Sequence, residues 1–121
     1  MIAVVRVNSA HTHTTPKIAE HVRADFPDVE RHACVNALGP AFAHVMEHTS
    51  LPHLLEHLTI DIQASEYTLM YADGQPHPHM LKGVTQWIDK DEGLARVQVN
   101  MVSDICAISA LTRAVDYINS L

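Results

Sequence analysis

The sequence predicts an α+β domain, a mainly antiparallel sheet with helices packed on one face, in a single two-layer unit. Three observations carry this. Residues 83–101 alternate apolar and polar positions on either side of Lys90-Asp91-Glu92-Gly93, the pattern of a hairpin. The apolar residues of 50–63, and those after Ser103, recur at helical spacing instead. Helical stretches are segregated from the hairpin-connected ones, which is the ordering of an α+β chain.

Taken in order, residues 2–7 are rich in β-branched side chains and read as a first strand running into Asn8-Ser9. Thr15 is placed to cap a helix over 16–25, with Pro16 at its first position. Ile18, Val22 and Phe26 give that helix an apolar edge, and Pro27 stops it. Residues 29–35 fit a second strand only loosely. Gly39-Pro40 marks a break, after which a helix is expected over 40–48. Ser50 caps the central helix, which tolerates Pro52 in its first turn and is expected to end near residue 64. Residues 66–72, EYTLMYA, are strand-like and lead to a turn at Asp73-Gly74, and two prolines make 75–79 a loop. The hairpin sets Val84, Gln86 and Ile88 against Thr85 and Trp87 in 83–89. In 94–101 it sets Ala95, Val97, Val99 and Met101 against Arg96, Gln98 and Asn100. Ser103 caps a last helix, with Asp104 in the first turn where a negative charge is favourable. Ile105, Ile108, Leu111, Val115 and Ile118 are its expected buried stripe.

A chain of 121 residues suits one domain with one core, so 1–121 is read as a single unit, and the clean first strand and capped last helix fit a whole domain. The formal charge of −6, with no run of Lys or Arg, argues against a nucleic-acid surface. No apolar run approaches the roughly 18 residues of a membrane helix, and the start is too short and alternating for a signal peptide. A cytoplasmic protein without a membrane partner is expected. Cys34 and Cys106 lack a CxxC spacing and are read as buried reduced thiols. No glycine-rich phosphate loop is present.

The chemistry concentrates in His53-Leu54-Leu55-Glu56-His57. On a helix, His53 and His57 stand one turn apart with Glu56 beside them, while Leu51, Leu54, Leu55, Leu58 and Ile62 fall on the opposite face. Two imidazoles can hold a divalent metal, and a neighbouring carboxylate can take a proton from water bound to it. The order is the H-x-x-E-H of the inverzincin metallopeptidases. It occurs twice, the other copy being His44-Val45-Met46-Glu47-His48. There Phe42, Val45 and Met46 make one face and leave His44, Glu47 and His48 on what reads as a solvated side. In the second copy Ile60 lies among the polar groups, so that face is expected to be half buried in a cleft, which makes it the better candidate. His11 with His13, and His77 with His79, read as loop surface, Trp87 as a sheet residue covering core. A Cys34–His32 nucleophile pair has little behind it.

The run 51–63, LPHLLEHLTIDIQ, resembles the GHVIEHVALELQ-like segment in the N-terminal domain of cyanophycin synthetases. Val97-Gln98-Val99-Asn100-Met101 followed by Ala114-Val115 is similar to the strand and last helix of that domain, and Glu47-His48 resembles its upstream Glu-His-Cys segment. The likeness covers about the last two thirds of the chain. The ATP-grasp and ligase domains that make the polymer have no counterpart in it. The N-terminal domains of these synthetases are similar to zinc metallopeptidases, and in some members they cleave the Asp-Arg polymer into primers. The resemblance therefore implies zinc held by His53 and His57, with Glu56 as general base. Where the family has a Phe-Glu-Tyr-like triplet this chain has Val99-Asn100-Met101, which leaves Asp104 or His48 as third ligand. Asp89-Lys90-Asp91 stands in place of the family's Arg-rich turn.

Two functions follow. One is metal-assisted hydrolysis of an amide bond in a peptide or polypeptide. The other is a degenerate, non-catalytic member that binds metal or a protein partner, a second copy of the chain included. A plain globular protein whose histidines are satisfied polar residues is the bland alternative to both.

Overall fold

The structure, a computed structural model, describes residues 1–70 and 81–121. The expected turn at Asp73-Gly74 and the loop 75–79, with His77 and His79, lie outside the described residues. The elements are β1 (Ile2–Arg6), α1 (Pro16–Asp25), a 3-10 turn (Val29–Arg31), β2 (Ala33–Asn36), β3 (Gly39–Ala41), a second 3-10 turn (Phe42–His44), α2 (Leu51–Met70), β4 (Gly83–Asp89), β5 (Leu94–Val99) and α3 (Asp104–Asn119).

The fold is α+β. One antiparallel sheet has the order β1-β5-β4, and β2 and β3 form a separate two-stranded hairpin. The β4–β5 hairpin turns at residues 90–93, where Gly93 takes φ 69°, a left-handed conformation that costs a residue without Cβ little. β1 pairs along β5 with Ile2 opposite Gln98 and Val4 opposite Arg96. The strand alternation divides the sheet's two faces. Ala95, Val97 and Val99 are buried against α2, whereas Ile2, Val4, Val84 and Ile88 on the opposite face are exposed.

The caps form as the sequence predicts. Thr15 Oγ1 accepts from Ile18 N and Ser103 Oγ from Cys106 N, each satisfying one of the amides a helix start leaves unpaired. α2 lies between α3 and the sheet, so its buried residues run almost unbroken from Leu54 to Ile60. Gln63, fully buried on it, donates Nε2–H to Asn100 O and accepts at Oε1 from Val102 N, tying α2 to the crossing from β5 to α3.

Three expectations are corrected. Residues 40–48 are not a helix, because Gly39–Ala41 pair as a strand with β2 and only a short 3-10 turn follows. Asn36 closes that hairpin, its Oδ1 accepting from Leu38 N and Gly39 N and its Nδ2–H donating to Cys34 O and Ala41 O. Residues 66–70 continue α2 rather than start a strand. Glu66 there accepts from Arg113 and from the Cys106 thiol on α3, tertiary contacts that override the local strand preference. Finally, α3 does not bury Ile105 and Ile108. Its seam is Cys106, Ala107, Ala110 and Ala114, with Leu111, Val115 and Ile118 only partly buried. Both stripes have helical spacing, and packing selects the small one, which lets α3 approach α2 closely.

Candidate metal centre

The second H-x-x-E-H copy lies in the first half of α2, where the helical period places His53, Glu56 and His57 on one side as expected. The β2–β3 hairpin and the inner face of β4 stand opposite. Between them is a half-open cleft of about 1210 Å³, lined by Cys34, Asn36, His53, Glu56, Thr85 and Trp87 among others.

His53 Nε2 and His57 Nε2 face each other 3.2 Å apart. Cys34 Sγ, carried by β2, lies 3.5 Å from His53 Nε2. One ligand atom from each of Cys34, His53 and His57 lies within 4.8 Å of the others, the one such group among the described residues. Phe42 forms the floor. Fully buried, it stacks on the His57 ring at 4.1 Å between centroids and meets His53 edge-on at 5.1 Å.

Each imidazole is also held from behind. Thr49 Oγ1 is 2.8 Å from His53 Nδ1. His32 Nδ1 is 3.2 Å from His57 Nδ1, and its Nε2 is 3.1 Å from Asp61 Oδ1. Glu56 is buried, with Oε1 accepting from the Thr85 hydroxyl at 2.7 Å and Oε2 3.7 Å from His57 Nε2. Gly83 makes room for it, since a Cβ there would stand 2.6 Å from Glu56 Cγ.

Burial sets the charge states. It lowers the His57 pKa to about 3, helped by neighbouring His53 and His32, and lowers that of His53 in the same direction. Both imidazoles are therefore neutral at pH 7, as a metal ligand must be. Burial raises the Glu56 carboxyl, against the opposing pull of the Thr85 hydrogen bond and of His32. It also raises the Cys34 thiol, with a hydrogen bond from Asn36 acting the other way and Glu56 adding to the rise.

The other expected ligands lie elsewhere. His48 is exposed, its ring stacked on His13 with centroids 5.1 Å apart. Asp104 is exposed in the first turn of α3. Neither joins His53 and His57, whereas Cys34 does. His11 and His13 line a separate cavity of about 680 Å³ between β1, α1 and the ends of α2 and α3. Sequence reasoning missed Cys34, His32, Asp61 and Thr85 as parts of the site. A signal for two of them was present. His32 and Cys34, two apart in an extended stretch, point to one side, and Ala33 between them is exposed.

These features define a small α+β domain with a candidate metal-binding triad at the floor of a cleft. Compared with known families, residues 1–121, the whole chain, match the cyanophycin synthase-like N-terminal domain. The chain belongs to that family, and the match includes the first third that the sequence resemblance left aside. No curated protein and no solved structure matches it. Among the described residues no helix is long and apolar enough to cross a membrane.

Proposed function

We propose that this domain is a metal-dependent amide hydrolase of the peptidase kind, with zinc as its ion, Cys34, His53 and His57 as protein ligands, and Glu56 as general base. Donor spacing is the observation that supports this. Zinc bonds of about 2.05 Å to imidazole and about 2.3 Å to thiolate in a tetrahedron require edges of about 3.3 Å between nitrogens and about 3.5 Å from sulfur to nitrogen. The two edges that meet at His53 are 3.2 and 3.5 Å, and the Cys34–His57 edge lies within 4.8 Å. Three protein ligands would leave a fourth position for water, as catalytic rather than structural zinc sites do.

When bound, such an ion supplies a Lewis acid for the scissile carbonyl and lowers the pKa of a water. Glu56 accepts the water proton at Oε2, the oxygen turned toward His57, while Thr85 holds Oε1 in place. A carboxyl whose proton affinity is raised by burial is suited to accept that proton near neutral pH and return it to the leaving amine. Trp87 and Ile60 give the cleft apolar wall for a peptide or polypeptide substrate. Asp89-Lys90-Asp91, in place of an Arg-rich turn, makes the synthetases' own Asp-Arg polymer a poorer candidate than other peptides.

A non-catalytic module is the second reading. The exposed apolar residues Ile2, Val4, Val84 and Ile88 on the sheet, with Ile105 and Ile108 on α3, favour it, since such patches serve self-association or a larger partner.

Metal content of protein purified without a histidine tag or chelator separates the two, together with peptide hydrolysis. About one zinc per chain is expected, lost in His53→Ala and in Cys34→Ala. Hydrolysis should fall about 10²- to 10⁴-fold in Glu56→Gln with the metal retained. No zinc uptake at micromolar concentration removes the mechanism, and zinc without hydrolysis of any peptide leaves the non-catalytic module.

A further inference from the structure

The hydrogen bonds behind His57 form a directed chain. Asp61 is four residues beyond His57 on α2, so its carboxylate projects from the same side of the helix one turn on. His32 bridges the two. Its backbone is fixed at both ends, the amide donating to Val29 O at 3.1 Å and the carbonyl accepting from Phe42 N at 2.9 Å. Its ring is thereby set with Nε2 toward Asp61 and Nδ1 toward His57.

The direction follows from what each atom can do. A carboxylate only accepts, so the contact with Asp61 requires the proton of His32 on Nε2. A neutral imidazole with its proton on Nε2 has a bare Nδ1, which can only accept. With His32 neutral, the 3.2 Å contact between the two Nδ1 atoms then requires the proton of His57 on Nδ1. That leaves His57 Nε2 bare, and this is the atom facing His53 Nε2 on the Cys34 side of the ring. The Glu56 carboxylate, 3.7 Å from His57 Nε2, draws the proton the other way but stands beyond hydrogen-bond distance, so the 3.2 Å contact with His32 decides the tautomer of a ring buried to 3% exposure.

We propose that His32 and Asp61 are positioning residues: through their hydrogen-bonded chain they lock His57 in the Nδ1–H tautomer and present its Nε2 lone pair to a divalent cation. This rests on the metal reading above for the identity of what is bound, but not for the tautomer itself. Partners of this type orient the ring and raise its basicity as a ligand, and their loss typically weakens metal affinity about 10- to 100-fold.

The test has two arms. Long-range nitrogen–proton NMR on the metal-free wild type reads the tautomer directly. His57 is expected with a protonated Nδ1 and a bare Nε2, and a proton found on Nε2 overturns the proposal whether or not the protein binds metal. The second arm is zinc affinity by competition with a chromophoric chelator. Asp61→Ala is expected to weaken binding about 10- to 100-fold, with Asp61→Asn, which keeps an accepting oxygen toward His32, recovering part of the loss. Zinc bound as tightly by Asp61→Ala as by wild type overturns the positioning role and leaves the metal centre standing. A wild type that takes up no zinc but shows the Nδ1–H tautomer retains the chain and removes the metal reading.

Discussion

The two H-x-x-E-H copies are nine residues apart and share the same pattern, yet the fold treats them oppositely. Residues 53–57 lie on a regular helix, buried from Leu54 to His57, with His53 half-buried at the cleft. Residues 44–48 begin at the end of a single 3-10 turn, and His44, Glu47 and His48 are exposed, with Glu47 pairing with Arg23 at 3.4 Å. The pattern makes a candidate ligand set only when the backbone period is helical and other elements supply what the pattern lacks. For 53–57 those elements are β2 with Cys34, β4 with Thr85, and His32 just before β2. Phe42 and Met46, apolar residues in and beside the first copy, are in the core, and Phe42 carries the rings of the second. A residue just before one copy thus serves as flooring for the other.

The contrast can be broken in stages. Phe42→Ala should have the largest effect, about 3–5 kcal/mol of stability by denaturant unfolding, since it removes a fully buried ring and leaves a cavity under both imidazoles. A loss below about 1 kcal/mol would mean that Phe42 is not the floor.

Next is acidification of the metal-free protein. With the folded-state His57 pKa lowered to about 3, the unfolded chain takes up its proton near pH 6.5 while the folded one does not. The unfolded state then binds more protons, so this contribution is complete above pH 6.5 and is lost as pH falls toward 3. At pH 5 the expected loss is about 2 kcal/mol, with His53 acting in the same direction. His57→Gln should flatten the slope of unfolding free energy against pH over this range. An unchanged slope would place the ring in water.

The smallest effect belongs to the first copy. Glu47→Ala removes one exposed ion pair and should cost no more than about 1 kcal/mol, with zinc uptake as in wild type. Metal loss in that variant would reverse the assignment of the two copies.

Much of the fold was legible because its signals are local. Thr15-Pro16, Ser103, the Lys90–Gly93 turn and the clean alternation of 94–99 each determine their own few residues. The faces of α3 were not legible, since alanine and isoleucine stripes both have helical spacing and only the proximity of α2 decides between them. Pro40 was read as a helix start after a break at Gly39, because Gly-Pro breaks and propensity compete there. The side chain of Asn36, which closes the hairpin, offers a turn signal that an Asn-x-x-Gly spacing does not advertise. In the site, His53, Glu56 and His57 could be read from period alone. Asp61, one turn beyond His57, shares that period but was not singled out. The spacing of His32 and Cys34 puts them on one side of a strand, but their relation to the pair depends on how a hairpin folds back over α2.

The separation of these parts along the chain has a consequence for folding order. Every side chain of the triad and of the chain behind it comes from residues 32–61, a contiguous stretch whose ends meet by closing short loops. The sheet closes the other way, pairing Ile2 with Gln98 across almost the full length of the polypeptide. Loop closure grows more costly with length, so short-range contacts form before long-range ones in the ordinary course of events. The cleft floor can therefore assemble on a nascent β2–β3 hairpin packed against α2 while the first strand is still searching for its place at the sheet edge.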